Sequence, residues 1–277
     1  MTLSRKDTAA RLDERGLAPK RSLGQNFVVD PNTVRRIARL AAVGPDDHVV
    51  EIGPGLGALT RALLETGASV TAVEIDRGLC EVLRDELGDQ VRVIEGDARA
   101  VDWNALLGDQ RWVLVANLPY NVATPLIADL LDTVPAIERM LVMVQLEVAE
   151  RLAAPPGSKT YGGVSVKVAY WATAHVAGKV PATVFLPRPN VDSALVSITR
   201  RAEPAVAADV TAAELFALVR TGFAQRRKML RRSLAGVAPA PVLAAAFERA
   251  GVRPDARAEE LGVVAWGALA RALHQPD

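Results

Sequence analysis

EIGPGLGALT (51–60) continues the short apolar run HVVEI (48–52) into a turn with glycine at 53, 55 and 57, then into a helical pattern reaching Leu63. A strand that breaks into glycines and restarts as a helix opens an α/β unit. Glycine there lets the backbone turn tightly and approach a ligand with no Cβ in the way. Outward from that turn, strand-like and helix-like stretches alternate. SVTAVEI (69–75), VRVIEG (91–96), RWVLVAN (111–117) and MLVMVQ (140–145) read as strands. Helices are expected near 77–87, near 123–132 and from Glu147, and an earlier one opens at Pro31 with Asp30 as its N-cap. Strands separated by helices imply a parallel sheet covered on both faces, and all-apolar runs such as VLVA (113–116) suit burial on two sides.

The rest of the chain departs from that rhythm. APPGSKTYGG (154–163) reads as a loop, and the β-rich stretches 172–180 and 193–200 bracket a proline-rich segment as a closing hairpin. From Thr211 the pattern is helical to about His274. The expected organisation is a basic N-terminal arm (1–24), an α/β domain (25–201), a linker (202–210) and a small all-α domain (211–277).

Composition narrows the chemistry. Half of the 277 residues are hydrophobic and 23% charged, which is ordinary globular usage. The single cysteine, Cys80, excludes an internal disulfide framework and a multi-thiolate zinc site. His48, His175 and His274 show no ligand spacing, so no metal is expected. No apolar run approaches bilayer length and the N-terminus is charged from Arg5, so a soluble, cytoplasmic protein is expected, with no membrane partner. Net charge is only +1. Any affinity for nucleic acid must therefore come from local clusters.

The glycine turn has acidic partners. Glu51 ends the first strand, Glu74 ends the second, and Asp97 follows the third. A carboxylate at Glu74 can accept both hydroxyls of a ribose, and one at Asp97 can reach an adenine amino group. The third glycine comes one residue too early for the dinucleotide pattern G-x-G-x-x-G. A tight turn that binds nothing would account for the glycines alone, but not for the acids at successive strand ends. The set suits a nucleoside without a pyrophosphate, of which S-adenosylmethionine is an example, at the carboxyl edge where such sheets take ligands.

The fourth strand runs into NLPY (117–120), at the same edge. Asn and Pro are common turn formers, yet these residues also fit methylation of an exocyclic adenine amine, a poor nucleophile. The Asn117 side-chain oxygen and the Leu118 carbonyl can accept the amino hydrogens and stabilise the charge that develops, while Pro119 stiffens the backbone. Everting a base costs a few kcal/mol and stacking returns ~1–3 kcal/mol per base. Tyr120 is one candidate wall for it and Phe185 the opposite one, although either aromatic alone is equally at home in a core.

These residues resemble the ribosomal RNA adenine dimethyltransferases, in particular the bacterial small-subunit type. The resemblance runs from about Lys20 to the C-terminus and rests on LGQNF (23–27), EIGPGLGALT, VEID (73–76), GDA (96–98), NLPY, SKTYG (158–162), the F-x-P-x-P-x-V-D-S string from Phe185 to Ser193, and QRRKMLRRSL (225–234). It implies a Rossmann-like class I methyltransferase with a mainly parallel seven-stranded sheet and a C-terminal helical domain. It further implies S-adenosylmethionine as cofactor, held by Asn26, Val28, Gly53, Gly55, Glu74, Asp97 and Asn117. Asn117, Leu118, Pro119, Tyr120 and Phe185 would handle the target. The implied reaction is dimethylation of two adjacent adenines in a 3′-terminal hairpin loop of 16S rRNA, on an assembly intermediate of the small ribosomal subunit, and a monomer is expected. Val28 stands where the family commonly has leucine.

Arg226, Arg227, Lys228, Arg231 and Arg232 concentrate positive charge around Met229 and Leu230. A charge run is usually a solvated helix face; cations at this density repel one another, which favours a phosphate-rich partner. Three rival readings remain: a large-subunit adenine methyltransferase of the macrolide-resistance type, a non-catalytic assembly factor on the same fold, and a DNA adenine methyltransferase.

Overall fold

A computed structural model describes residues 4–274; the ends of the expected arm (1–3) and of the expected helical domain (275–277) lie outside the described residues. The chain runs α1 (Arg5–Glu14), β1 (Phe27–Val28), α2 (Pro31–Ala41), β2 (His48–Ile52), α3 (Ala58–Leu64), β3 (Ser69–Glu74), α4 (Arg77–Leu87) and β4 (Val91–Glu95). It continues through α5 (Trp103–Leu107), β5 (Trp112–Asn117), α6 (Ala123–Thr133), β6 (Ile137–Gln145), α7 (Leu146–Leu152) and α8 (Gly163–Trp171). Three strands follow, β7 (Ala172–Val180), β8 (Phe185–Leu186) and β9 (Ser193–Arg200), and then α9 (Ala212–Ala224), α10 (Leu230–Ser233), α11 (Ala240–Arg249) and α12 (Val263–His274).

Seven strands form one sheet in the order β4-β3-β2-β5-β6-β9-β7. The first five pair in parallel, and β9 joins β6 antiparallel, Ser193 opposite Gln145. Val49, Leu114, Val115 and Val142 are wholly or almost wholly buried, as strands covered on both faces require. The α/β, Rossmann-like architecture with C-terminal helices is thus the observed one. A separate two-stranded pairing of β1 with β8 has strands too short to show as a sequence period.

From Ser4 onward the expected N-terminal arm opens with a helix and is anchored. Ser4 and Asp7 form a capping box at the start of α1. Leu12 is buried with Leu56, Leu79 and Val82, Arg11 pairs with Glu86, and Arg15 meets Asp85 at 2.7 Å.

The boundaries also differ from those expected. One compact unit comprises 1–149 and 175–200, the other 150–174 and 201–277. In the second unit Tyr161, Val166 and Tyr170 share an apolar cluster with Leu215, Phe216, Phe247 and Trp266, and the Tyr161 hydroxyl donates to the Leu261 carbonyl at 3.0 Å. That burial draws 150–174 away from the sheet domain to which sequence order assigned it. The stretch 202–210 is likewise part of this unit. Val206 and Val210 are buried, and Ala205 N–H donates to the Tyr170 carbonyl at 2.9 Å.

Candidate active site

The carboxyl ends of β2, β3, β4 and β5 open on one cavity of the first unit. Its lining includes Asn26, Val28, Glu51, Gly53, Gly55, Glu74, Asp97, Asn117, Leu118, Pro119 and Tyr120. All the residues predicted for the cofactor therefore meet in one place, as do four of the five predicted for the reacting end.

The floor is the glycine turn. Gly53 and Gly55 hold φ of 69° and 58°, a left-handed backbone that costs an L side chain free energy. At Gly55 space opposes a side chain as well, since a Cβ there would lie 2.8 Å from the Phe27 ring. At Gly53 the backbone angle alone makes the demand: a Cβ would meet the Asn117 carbonyl oxygen at an ordinary contact distance of 3.7 Å.

Glu74 is 4% exposed. Its two carboxylate oxygens accept separate backbone N–H groups, Gly55 at 3.1 Å and Asp76 at 3.0 Å. Those bonds fix the carboxylate plane and leave each oxygen further acceptor capacity, which is what a ribose diol requires. Burial raises the Glu74 pKa against the opposing effect of these donors. Glu51, equally buried, is pushed up to about 8 by desolvation, despite the Thr60 hydroxyl donating to it at 2.6 Å. Burial thus favours the protonated form of Glu51, which limits the charge buried in this pocket. Asp97 is different: the Arg99 guanidinium, 2.7 Å away, and its backbone N–H hold the carboxyl below its ordinary range.

The reacting end is set by bonds on both sides. Leu118 N–H donates to the Met143 carbonyl at 3.1 Å, and the Pro119 carbonyl accepts from Val122 and Ala123, each at 3.1 Å. The Leu118 carbonyl lies between these anchored bonds. The Asn117 amide nitrogen donates to the Asn26 carbonyl at 2.9 Å, so its amide oxygen is the atom left as acceptor. Tyr120 is half-buried, and its hydroxyl shares a 2.7 Å hydrogen bond with the Ser193 hydroxyl.

Residues 20–28 cross this cavity as a strap whose attachments were invisible in the sequence. Asp76 is 4% exposed and caps α4 through Gly78 N–H at 3.1 Å. It also receives Lys20 at 2.8 Å and the Gln25 side-chain amide at 3.0 Å. Gln25 and Asp76 lie in the motifs LGQNF and VEID, but nothing in either motif pairs residues 51 positions apart.

Phe185 does not join the site. It is fully buried, packed in a core cluster with Val28, Val34, Ile37 and Leu195, and is absent from the cavity wall. Its backbone pairs with Val28 across β1 and β8. An apolar ring with no polar atom gains its full transfer free energy by burial, and the core takes it.

The basic cluster of the second unit also differs in form. Residues 225–228 make a turn between α9 and the short α10 rather than continuing a helix. Met229 bridges to Arg257 and Leu230 N–H donates to the Ala256 carbonyl at 2.8 Å, which takes the backbone out of α9. Arg226 is paired with Glu259 at 2.7 Å. Arg227, Lys228, Arg231 and Arg232 are exposed. Among the described residues no group of acidic, histidine or cysteine side chains could hold a metal ion, and no helix is long and apolar enough to cross a membrane.

A parallel sheet carrying a glycine turn, a buried carboxylate and an Asn-Leu-Pro-Tyr turn at one edge defines a Rossmann-like, S-adenosylmethionine-dependent methyltransferase. A family model described as ribosomal RNA adenine dimethylase matches residues 16–274, and the chain belongs to that family. The ribosomal RNA small subunit methyltransferase A of Streptomyces griseus is 50% identical over 280 residues, spanning 98% of this chain and 94% of that protein. The protein of the same name from Streptomyces coelicolor is 52% identical over 263 residues, 92% of this chain and 91% of that one. Among solved structures, the 23S rRNA methyltransferase ErmE aligns with a TM-score of 0.70 at 30% identity, over 90% of this chain and 100% of that one. A dimethyladenosine transferase from Plasmodium falciparum has the same fold, with a TM-score of 0.74 at 24% identity over 87% and 94% of the two chains.

Proposed function

We propose that this chain dimethylates the exocyclic amines of two adjacent adenines in a 3′-terminal hairpin loop of 16S rRNA, on a maturing small ribosomal subunit. The observation that carries the reading is the Asn117 amide, oriented by Asn26 at 2.9 Å within the cavity that also holds Gly53, Gly55 and Glu74. S-adenosylmethionine, when bound, supplies a methyl group activated by a sulfonium. Glu74 would hold its ribose and Asp97 its adenine amino group, the latter sharing its carboxylate with Arg99. Asn26 and Val28 close the site from the strap.

On the substrate side, the Asn117 oxygen and the Leu118 carbonyl accept the target amino hydrogens. The nitrogen is then favoured in a pyramidal form, and its developing positive charge is stabilised before any proton leaves. Pro119 holds the turn and Tyr120 stacks on the everted base. With the cofactor bound, the new nitrogen–methyl bond would replace the sulfonium–methyl bond, the cofactor would leave as a neutral thioether, and the alkylated amine would lose its proton to water. That proton is acidic once the nitrogen is alkylated, so no strong base is needed.

Identity of about half to the two small-subunit relatives, against 30% to a 23S rRNA methyltransferase, favours the small subunit. The decisive experiment supplies methyl-labelled S-adenosylmethionine with unmethylated small or large subunits. Label is expected in two neighbouring adenines of 16S rRNA, and label confined to 23S rRNA would overturn the assignment. An intact cavity and NLPY turn speak against a purely non-catalytic assembly factor.

Arg227, Lys228, Arg231 and Arg232 would neutralise phosphates, which gives affinity with little sequence readout. Replacing all four with alanine is expected to weaken rRNA binding and to flatten its dependence on log salt by roughly 0.7–0.9 for each phosphate that is no longer neutralised. Cofactor affinity should stay constant. An unchanged salt slope in a binding titration would exclude these side chains from the interface.

A further inference from the structure

With Phe185 in the core, the F-x-P-x-P-x-V-D-S string is left without the role the sequence suggested for it. The structure brings a different residue of that string to the reacting end. Ser193 is fully buried, and its hydroxyl is 2.7 Å from that of Tyr120, 73 positions away in the chain. The sheet explains the meeting. β9 runs antiparallel to β6, so its first residue lies at the edge where the parallel strands finish, opposite Gln145 and two strands from β5, with β6 between.

The preceding residue clamps this strand end. The Asp192 carboxylate accepts Ala182 N–H at 2.9 Å, and its carbonyl accepts Leu146 N–H at 3.0 Å. A rigid, buried hydroxyl thus holds the outer end of a ring whose inner end is fixed by the NLPY turn. We infer that Ser193 is a positioning residue for base capture, setting the plane of the Tyr120 ring so that an everted adenine finds its stacking face already oriented. This role rests on the reading of Tyr120 as the wall for the target base. A hydroxyl free to rotate would leave the phenol pivoting about its side-chain bonds, and each captured base would have to re-order it.

The test is a double-mutant cycle of Ser193→Ala and Tyr120→Phe, with Tyr120→Ala as reference, on the full chain and unmethylated small subunits. Ser193→Ala is expected to lower kcat/KM for RNA roughly three- to tenfold, the scale of one neutral hydrogen bond, while cofactor affinity stays unchanged. In the Tyr120→Phe background the same substitution should cost nothing further. RNA carrying 2-aminopurine at the target position gives a second reading, because the quenching that accompanies stacking should weaken in Ser193→Ala. If Tyr120→Ala is impaired but Ser193→Ala matches the parent in both readouts, the positioning role is overturned and the Tyr120 assignment stands. If Tyr120→Ala itself transfers and quenches normally, the assignment of Tyr120 as the wall fails, and the role of Ser193 with it. A Ser193→Ala loss that persists in full in the Tyr120→Phe background would mark a general structural defect and also overturn the role.

Discussion

Asn117→Ala is expected to reduce methyl transfer by on the order of 10²–10³-fold, the usual cost of removing one preorganised group that stabilises developing charge. The loss should lie in kcat, because the amide oxygen acts most strongly once the target nitrogen becomes positive. Binding of RNA through the second unit should hardly change. Asn117→Asp sharpens the test. The aspartate would be the closest in shape and would keep an acceptor, but it has no N–H to give to the Asn26 carbonyl, now 2.9 Å away. Two acceptors at that distance repel, so the side chain should leave its position and transfer should fall nearly as far. Single-turnover rates on pre-bound subunits make the comparison, and an aspartate variant as fast as the parent would refute the oriented-amide account.

The second large effect is expected at Glu74. Its carboxylate serves two buried backbone donors, Gly55 and Asp76, before any ribose arrives. Glu74→Ala leaves both N–H groups unpaired at ~1–3 kcal/mol each and removes the acceptor for the diol. Cofactor affinity should drop on the order of 10²-fold, read directly by titration calorimetry. Glu74→Gln should fall between, since a carboxamide has one acceptor oxygen for two donors and must turn its NH₂ towards one of them. Undiminished heats in Glu74→Ala would remove this residue from the site.

Much of this was readable because burial writes itself into strands. VLVA is a continuous apolar run, and HVVEI is apolar at three of its five positions, for the same reason that they sit between two layers of helices. Once the strands are known to be parallel, Glu74, Asp97 and Asn117 must share an edge, since each follows or ends a strand. Other features depend on choices that only packing makes. Phe185 satisfies either a core or a stacking wall by composition, and its neighbours Val28 and Leu195 decide the matter. The run QRRKML has nothing in it to stop a helix; Ala256 and Arg257, nearly thirty residues on, pull the backbone into a turn. The clasp of Lys20 and Gln25 on Asp76 pairs a flexible-looking segment with a helix cap, a partnership that no local pattern encodes. Tyr120 and Ser193 stand in two separate motifs, but their bond follows from the reversal of β9 and needs the strand order to be known.

The second unit is assembled from two pieces of chain, 150–174 and 201–277, with part of the sheet threaded between them. During synthesis the first piece leaves the ribosome well before its apolar partners on α9 and α12 exist, and must wait with Tyr161, Val166 and Tyr170 uncovered. For the protein engineer the same threading forbids a one-crossover chimaera. Exchanging the tail alone would graft foreign helices onto a resident Tyr161–Tyr170 face, so a transplant of this unit has to carry both fragments together.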